Sequence, residues 1–147
     1  MLGMVLLLEI KMAQTDHVTE QQHQAAVWID HREALLAILI DAHLMREEEI
    51  FSKAGPHTHG GGWSQKRIQA HRQALLDQFY EQVAHHLGDA DEVIIYGPGQ
   101  AKHELYQHLN HSKDPKRRVL KLVTTDRLSR GEFIRMAVEQ FATVHTR

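Results

Sequence analysis

The chain contains no cysteine, which excludes disulfides, cysteine-ligated zinc sites and thiol nucleophiles. It also has no apolar run of about 20 residues, the length that a membrane-spanning helix needs. The apolar run in MLGMVLLLEIKM ends at Glu9, and no positive charge precedes it as one does in a secretory signal. We therefore expect neither a membrane partner nor secretion.

A strongly basic composition is missing as well. The formal net charge is -2 at pH 7, so a contact with nucleic acid has to come from a local patch rather than from the whole surface. The 147 residues, of which 42% are hydrophobic, suffice for one soluble domain with a single core. The stretch after the first apolar run is polar and has no apolar periodicity. We interpret residues 1–24 as a flexible lead-in, in which Met12 is an equally suitable start of translation, and place the folded domain at residues 25–145.

Apolar, partly β-branched runs predict five strands. AAVWID and EALLAILI flank a short polar turn at His31 and Arg32 and predict a hairpin. LMREEEIFSK is more polar and predicts a third strand at an edge. DEVIIYG has the composition of a buried strand, and RVLKLV predicts the last one.

Three helices are predicted between and after these strands. Ser64 is suited to cap a long helix that Gly88 ends. One face of that helix is apolar: Ile68, Leu75, Leu76, Phe79, Val83 and Leu87. A second helix is predicted from about Pro98 or Gly99, and SRGEFIRMAVEQFATV predicts a third. The order β-β-β-α-β-α-β-α indicates a mixed five-stranded sheet in a two-layer or three-layer α/β domain.

The stretch His57 to Gln65, HTHGGGWSQ, is the most unusual part of the sequence. Glycine has no Cβ and permits positive φ, so it lets a backbone N–H approach an oxyanion or a phosphate. The same three glycines also suit a simple linker between a strand and a helix. In either case we expect residues 56–64 to form an exposed, mobile loop.

Three segments together resemble the middle domain of the eukaryotic and archaeal class I peptide-chain release factors and of Pelota. His57 to Trp63 leads into a basic helix start, where that family has a Gly-Gly-Gln tripeptide before a long helix. IIYGPGQAKHEL resembles the family's strand, tight turn and lysine with a Glu-Leu pair. RVLKLVTTDRLSRGEFIRMAVE resembles its last strand and helix. The resemblance covers about Ala25 to Val144.

The resemblance implies a ribonuclease-H-like fold, a cytoplasmic protein that acts with the ribosome or tRNA, and no cofactor. It also implies peptidyl-tRNA ester hydrolysis at Gly61 and Gly62, with Trp63 where the family has its glutamine and Gln65 two residues beyond. Tryptophan has one N–H donor and no acceptor, so it cannot position water as a glutamine amide does. We therefore expect RNA binding with weak or absent hydrolysis.

Two basic groups are candidates for RNA contacts, or for ordinary solvated faces. The predicted RNA-binding residues are His57, His59, Lys66, Arg67, His71, Arg72, Lys116, Arg117 and Arg118. Lys113, Lys121, Arg127 and Arg130 lie near the second group in the sequence.

Other functions fit the sequence less well. His57 and His59, with His71, His85 or His86, fall short of a convincing zinc-ligand spacing, so we predict no metal site. Asp30 ends the first strand, where a nuclease would hold magnesium, but such a site needs two or more convergent carboxylates and the sequence does not identify the others. Gly97-Pro98-Gly99 lacks the residues of a nucleotide-binding loop and predicts a tight turn. The alternatives to a release-factor-like protein are a non-catalytic ribosome- or tRNA-binding module and a histidine-based metal hydrolase.

Overall fold

In the computed structural model, residues 21–54, 62–111 and 117–144 are described. These residues form the predicted order of five strands and three helices. The elements are β1 (His23–Ile29), β2 (Glu33–Ile40), β3 (His43–Phe51), α1 (Gln65–His86), β4 (Glu92–Gly97), α2 (Ala101–His111), β5 (Arg118–Thr124) and α3 (Arg130–Val144). Strand β1 begins at His23, so the sheet includes two residues that precede the predicted domain boundary at residue 25.

The strands form one mixed sheet in the order β3-β2-β1-β4-β5. β1 pairs antiparallel with β2 and parallel with β4, β2 pairs antiparallel with β3, and β5 is parallel to β4. This is the mixed five-stranded sheet predicted for a ribonuclease-H-like domain. Asp41 and Ala42 join β2 to β3 with positive φ angles of 51° and 64°, the conformation of tight hairpin turns.

Helices cover both faces of the sheet, so the domain has three layers. Val27, Leu36 and Ile95 pack beneath α1 and α2 on one face. Trp28, Ile94 and Tyr96 pack against Phe133 and Phe141 of α3 on the other face. Because β1 and β4 are central and covered on both sides, their sequences are continuous apolar runs without alternation.

Strand β3 is an edge strand, as its polar sequence predicted. Ile50 is its only buried residue. Leu44, Met45 and Phe51 are 37%, 61% and 63% exposed, and they are the exposed large hydrophobic residues of the described part of the chain. The strand is also irregular, since its register with β2 shifts between Ile38 and Leu39.

Helix α1 has the predicted ends but a shorter buried face. The Ser64 hydroxyl accepts the backbone N–H of Arg67 at 3.2 Å, and Gly88 follows the C-cap with a φ of 57°. Its buried residues are Leu76, Phe79, Tyr80 and Val83. The apolar face was predicted to begin at Ile68, but none of the described residues 65–75 is buried. We call residues 65–74 the α1 arm, because none of them is buried and Leu75 is the first residue of the helix that packs against the core.

The turn between β4 and α2 is tight, as predicted, and the helix begins at Ala101 rather than at Pro98 or Gly99. A Cβ on Gly97 would lie 2.3 Å from the carbonyl oxygen of Ile29, so only glycine fits where β4 passes β1. The ammonium of Lys102 is buried and donates to the carbonyl of Gly99 at 2.9 Å. This bond closes the turn. None of the helices in the described ranges is long and apolar enough to cross a membrane.

Candidate nucleic-acid interface at the start of helix α1

The start of α1 presents the described part of the glycine-rich stretch. Gly62 has a φ of 116°, which L side chains rarely adopt, and it is exposed. Ser64 caps the helix and Gln65 is its first residue, and both are exposed. The predicted site residues His57, His59 and Gly61 lie outside the described residues, as does most of the loop predicted at 56–64.

Trp63 lies against its own helix. The guanidinium carbon of Arg67 is 4.3 Å from the centroid of the tryptophan ring. The His71 ring is 5.5 Å from the same ring and nearly perpendicular to it, at 81°. Positions 63, 67 and 71 are four residues apart, which places them on one side of a helix. The half-buried ring therefore packs on the first turns of α1 and belongs to neither core cluster.

The first turns of α1 are positively charged. Lys66, Arg67 and Arg72 are all exposed, and the first turn contains no acidic residue. None of the three forms an ion pair with another residue that the structure describes. Because a helix N-terminus already carries partial positive charge, lysine and arginine there are unfavourable within the fold itself. This end of the molecule is therefore suited to an anionic partner.

The described arginines of the second predicted basic group, Arg117 and Arg118, have partners within the fold. Arg117 donates to the carbonyls of Gly88 at 2.7 Å and Ala90 at 3.1 Å, and thereby holds the chain after α1. Arg118 pairs with the buried Glu92 at 3.6 Å. Lys116 lies outside the described residues.

The two basic groups do not converge. Arg117 contacts the C-terminal end of α1, whereas Lys66 and Arg67 lie in its first turn. At about 1.5 Å per residue, some 20 helical residues separate the two groups by about 30 Å. The later arginines are also engaged within the fold, because Arg127 pairs with Glu33 and Arg130 pairs with Glu47 at 2.8 Å.

The side chains of the alternative sites have structural partners. The Asp30 carboxylate accepts the backbone N–H groups of Arg32 and Glu33, both at 2.8 Å, and so shapes the β1–β2 turn. His86 contacts Glu48 of β3 through Nδ1. Within the described ranges, no group of three or more histidine, aspartate or glutamate side chains is placed to hold a metal ion.

One polar cluster was not found from the sequence. The Tyr80 hydroxyl donates to Glu104 Oε1 at 2.7 Å, and His31 Nε2 lies 3.2 Å from Glu104 Oε2. Burial, and then the bond to Glu104, raise the pKa of Tyr80 far above its ordinary value. The cluster joins α1, α2 and the β1–β2 turn. Its members are 73 and 24 residues apart in sequence, so no local spacing reveals it.

Solved structures with the same fold include an archaeal translation termination factor and Pelota. An archaeal translation termination factor, aRF1, aligns with a TM-score of 0.52 and 16% identity over 84% of this chain and 37% of its own. Pelota from Thermoplasma acidophilum aligns with a TM-score of 0.50 and 19% identity over 84% of this chain and 32% of its own. Pelota from Archaeoglobus fulgidus gives 0.49 and 16% over 92% of this chain and 38% of its own. This chain thus spans about a third of the length of each. No curated protein matches it.

The solved structures share the fold of this chain, and the family is given by its sequence. The sequence model of bacterial archaeo-eukaryotic release factor family 10 matches residues 15–142, which is most of the chain. The protein belongs to this family. The predicted relationship to release factors and Pelota is thereby confirmed.

Proposed function

We propose that this domain binds ribosomal RNA or tRNA in the cytoplasm through the start of α1, and that ester hydrolysis there is weak or absent. The observation that carries the proposal is the cationic arm: Lys66, Arg67 and Arg72 are exposed and have no ion-pair partner among the described residues, and Arg67 lies over the ring of Trp63. Family membership supports translation as the setting, since the related solved structures are a termination factor and Pelota.

The chemistry of the arm favours binding over hydrolysis. Positive side chains contact phosphates and contribute affinity that depends on salt. Trp63 supplies a flat ring on which an unpaired base can stack, worth roughly 1–3 kcal/mol. Gly62 leaves its backbone accessible to an ester, but Trp63 has no acceptor with which to orient the attacking water. Gln65 is fixed at the first position of the helix, beyond the capping serine.

Co-sedimentation with ribosomes and with isolated large subunits over a series of salt concentrations tests the proposal. Replacing Lys66, Arg67 and Arg72 together by glutamine is expected to weaken binding. It should also lower the slope of log affinity against log salt by about 2, because roughly 0.7 counterions are released per neutralised phosphate of a single strand.

The matched control removes three exposed positive charges elsewhere: Arg32→Gln, Lys121→Gln and Arg135→Gln. This variant is expected to keep both the affinity and the salt slope of the unmodified chain. Equal losses in the two variants would show that net charge governs the association and that the arm is not the interface.

A non-catalytic binding module is the alternative that the position of Trp63 favours. Peptidyl-tRNA hydrolysis separates it from a slow release factor, because only the latter cleaves the ester above the uncatalysed rate. Efficient hydrolysis that survives Gly61→Ala with Gly62→Ala would place the reaction elsewhere on the protein and overturn the assignment of this site.

A further inference from the structure

The direction of the α1 arm depends on how the rest of the same helix is held. None of residues 65–74 is buried or belongs to a core cluster. The arm continues the axis of the residues that follow it, of which Leu76, Phe79 and Val83 are buried in the core. Apolar contacts are non-directional, and packed helices cross with a scatter of about 15–20°. Apolar packing alone therefore fixes the position of α1 better than its direction.

Hydrogen bonds at Glu104 supply a directional constraint. The carboxylate of Glu104, on α2, accepts the hydroxyl of Tyr80, on α1, at 2.7 Å. Its second oxygen lies 3.2 Å from Nε2 of His31 in the β1–β2 turn. Tyr80 is buried, so its hydroxyl needs a partner within the fold. Because hydrogen bonds weaken steeply when they are bent, Glu104 restricts the angle at which α1 crosses α2 and the turn.

The arm also interacts with this cluster through charge. Arg72 belongs to the arm and precedes Tyr80 by about two helical turns. Burial and the bond to Glu104 raise the pKa of Tyr80, and the positive charge of Arg72 opposes this rise. The guanidinium of Arg72 is therefore near enough to the cluster to interact with it electrostatically.

We propose that Glu104 is a positioning residue for RNA binding, which fixes the direction of the α1 arm by holding Tyr80 and His31. This inference rests on the proposed function of the arm. Lys66 lies about 21 Å from Tyr80 along the helix axis, so a change of about 15° in the direction of α1 displaces Lys66 by about 5 Å. Such a displacement exceeds the length of a hydrogen bond, so the arm would no longer present Lys66 and Arg72 to the same phosphates.

Charge alone predicts the opposite effect of removing Glu104. Loss of this carboxylate makes the surroundings of Arg72 more positive, which should strengthen the attraction of RNA. A positioning role predicts weaker binding instead. The sign of the change in affinity therefore separates the two explanations.

Distances between two spin labels in the RNA-free protein test the proposal. Since the chain has no cysteine, Gln69→Cys on the arm and Lys121→Cys on β5 each accept a label, and both positions are exposed. We expect a narrow distance distribution. Glu104→Ala is expected to broaden it or to shift it by about 4 Å, because residue 69 lies about 16 Å from Tyr80 along the helix. Glu104→Gln is expected to restore it, since the amide oxygen still accepts the Tyr80 hydroxyl.

Co-sedimentation with large ribosomal subunits measures the consequence for binding. Glu104→Ala is expected to bind about tenfold more weakly, the loss that corresponds to one charged hydrogen bond. Glu104→Gln is expected to bind like the unmodified chain. Glu139→Ala is the matched control, because it removes an exposed carboxylate from α3, and it should not weaken binding. Tyr80→Phe keeps the buried ring and removes only the hydroxyl, so it serves as the test if Glu104→Ala does not fold.

Three results overturn the proposal. A distance distribution that neither Glu104→Ala nor Tyr80→Phe changes would show that the cluster does not set the direction of the arm. A changed distribution with unchanged or stronger binding would show that RNA binding does not depend on that direction. Equal weakening by Glu139→Ala would assign the loss to a general effect of removing a carboxylate. The distance measurement uses no RNA, so its failure leaves the proposed function untouched, whereas failure of that function appears as unchanged binding when the arm's three basic residues are replaced.

Discussion

At the scale of single residues, Trp63 decides what the start of α1 does with an RNA ligand. Arg67 lies over its half-buried ring and His71 meets the ring edge-on, so the ring is held against α1. This arrangement orients a flat apolar surface without a conformational search on binding, which lowers the entropic cost of stacking.

Trp63→Ala is expected to weaken binding to large subunits or tRNA by about 5-fold to 150-fold, because a stacked base contributes roughly 1–3 kcal/mol. Trp63→Gln should bind less well than the unmodified chain and cleave peptidyl-tRNA faster. Tryptophan fluorescence reports the contact directly: Trp28 is 1% exposed, so quenching by RNA should come from Trp63. Quenching that persists in Trp63→Ala would show that RNA binds near Trp28 instead.

A second residue-scale prediction concerns alkaline pH. The hydroxyl of Tyr96 is buried without a hydrogen-bond partner among the described residues, and burial raises the pKa of Tyr96 to about 12. The ordinary pKa of tyrosine is about 10, so the unfolded chain loses this proton first. Between about pH 10 and about pH 12 the contribution of Tyr96 to stability should therefore fall as pH rises.

Tyr96→Phe is expected to remove this part of the alkaline loss, since phenylalanine does not titrate. At pH 7 the variant should be equally stable or more stable by about 1 kcal/mol, because an unsatisfied hydroxyl no longer has to be buried. Urea unfolding at pH 7 and at pH 10.5 measures both effects. Identical pH slopes for the two proteins would contradict the assignment to Tyr96.

At the scale of elements, the close approach of the neighbouring strands β1 and β4 at Gly97 leaves no room for a larger side chain. Gly97→Ala would place a Cβ 2.3 Å from the Ile29 carbonyl oxygen, so the strands must separate. We expect a loss of about 1–3 kcal/mol in the free energy of unfolding, the usual range for overpacking. The midpoint of urea denaturation measures it.

Gly99→Ala in the same turn is the control for this change. A Cβ there meets no atom within 4 Å, so stability should change little. If the two variants were equally destabilised, turn flexibility and not the close approach would explain the glycine at position 97.

The elements also show where sequence patterns suffice and where they do not. The continuous apolar run of β4 correctly predicted a buried strand, and the polar run of β3 correctly predicted an edge strand. The long helix was harder, because Ile68 has the right spacing but lies outside both core clusters, and Leu75 is only partly buried against the core. Tyr80 was missed for the opposite reason: its partner Glu104 comes from another helix.

At the scale of the whole molecule, the element order and the fold could be predicted from the sequence. Which basic side chains bind within the fold and which stay exposed could not. Arg117 and Lys66 look equivalent in sequence, yet one holds two backbone carbonyls and the other lies exposed. The difference depends on what each meets in the folded chain. The roles of Gly61, Gly62 and Gln65 in chemistry stay predictions, as do the RNA contacts of the basic residues.

The α1 arm also sets which targets are physically accessible. A single helix is about 10–12 Å across. The α1 arm, residues 65–74, extends about 15 Å along the helix axis. Five strands about 4.8 Å apart span roughly 20 Å before their side chains and covering helices are added. A cleft that is wide enough for the helix alone is therefore too narrow for the sheet. Because the sheet stays outside such a cleft, the length of the α1 arm limits Trp63 to targets within about 15 Å of the cleft entrance.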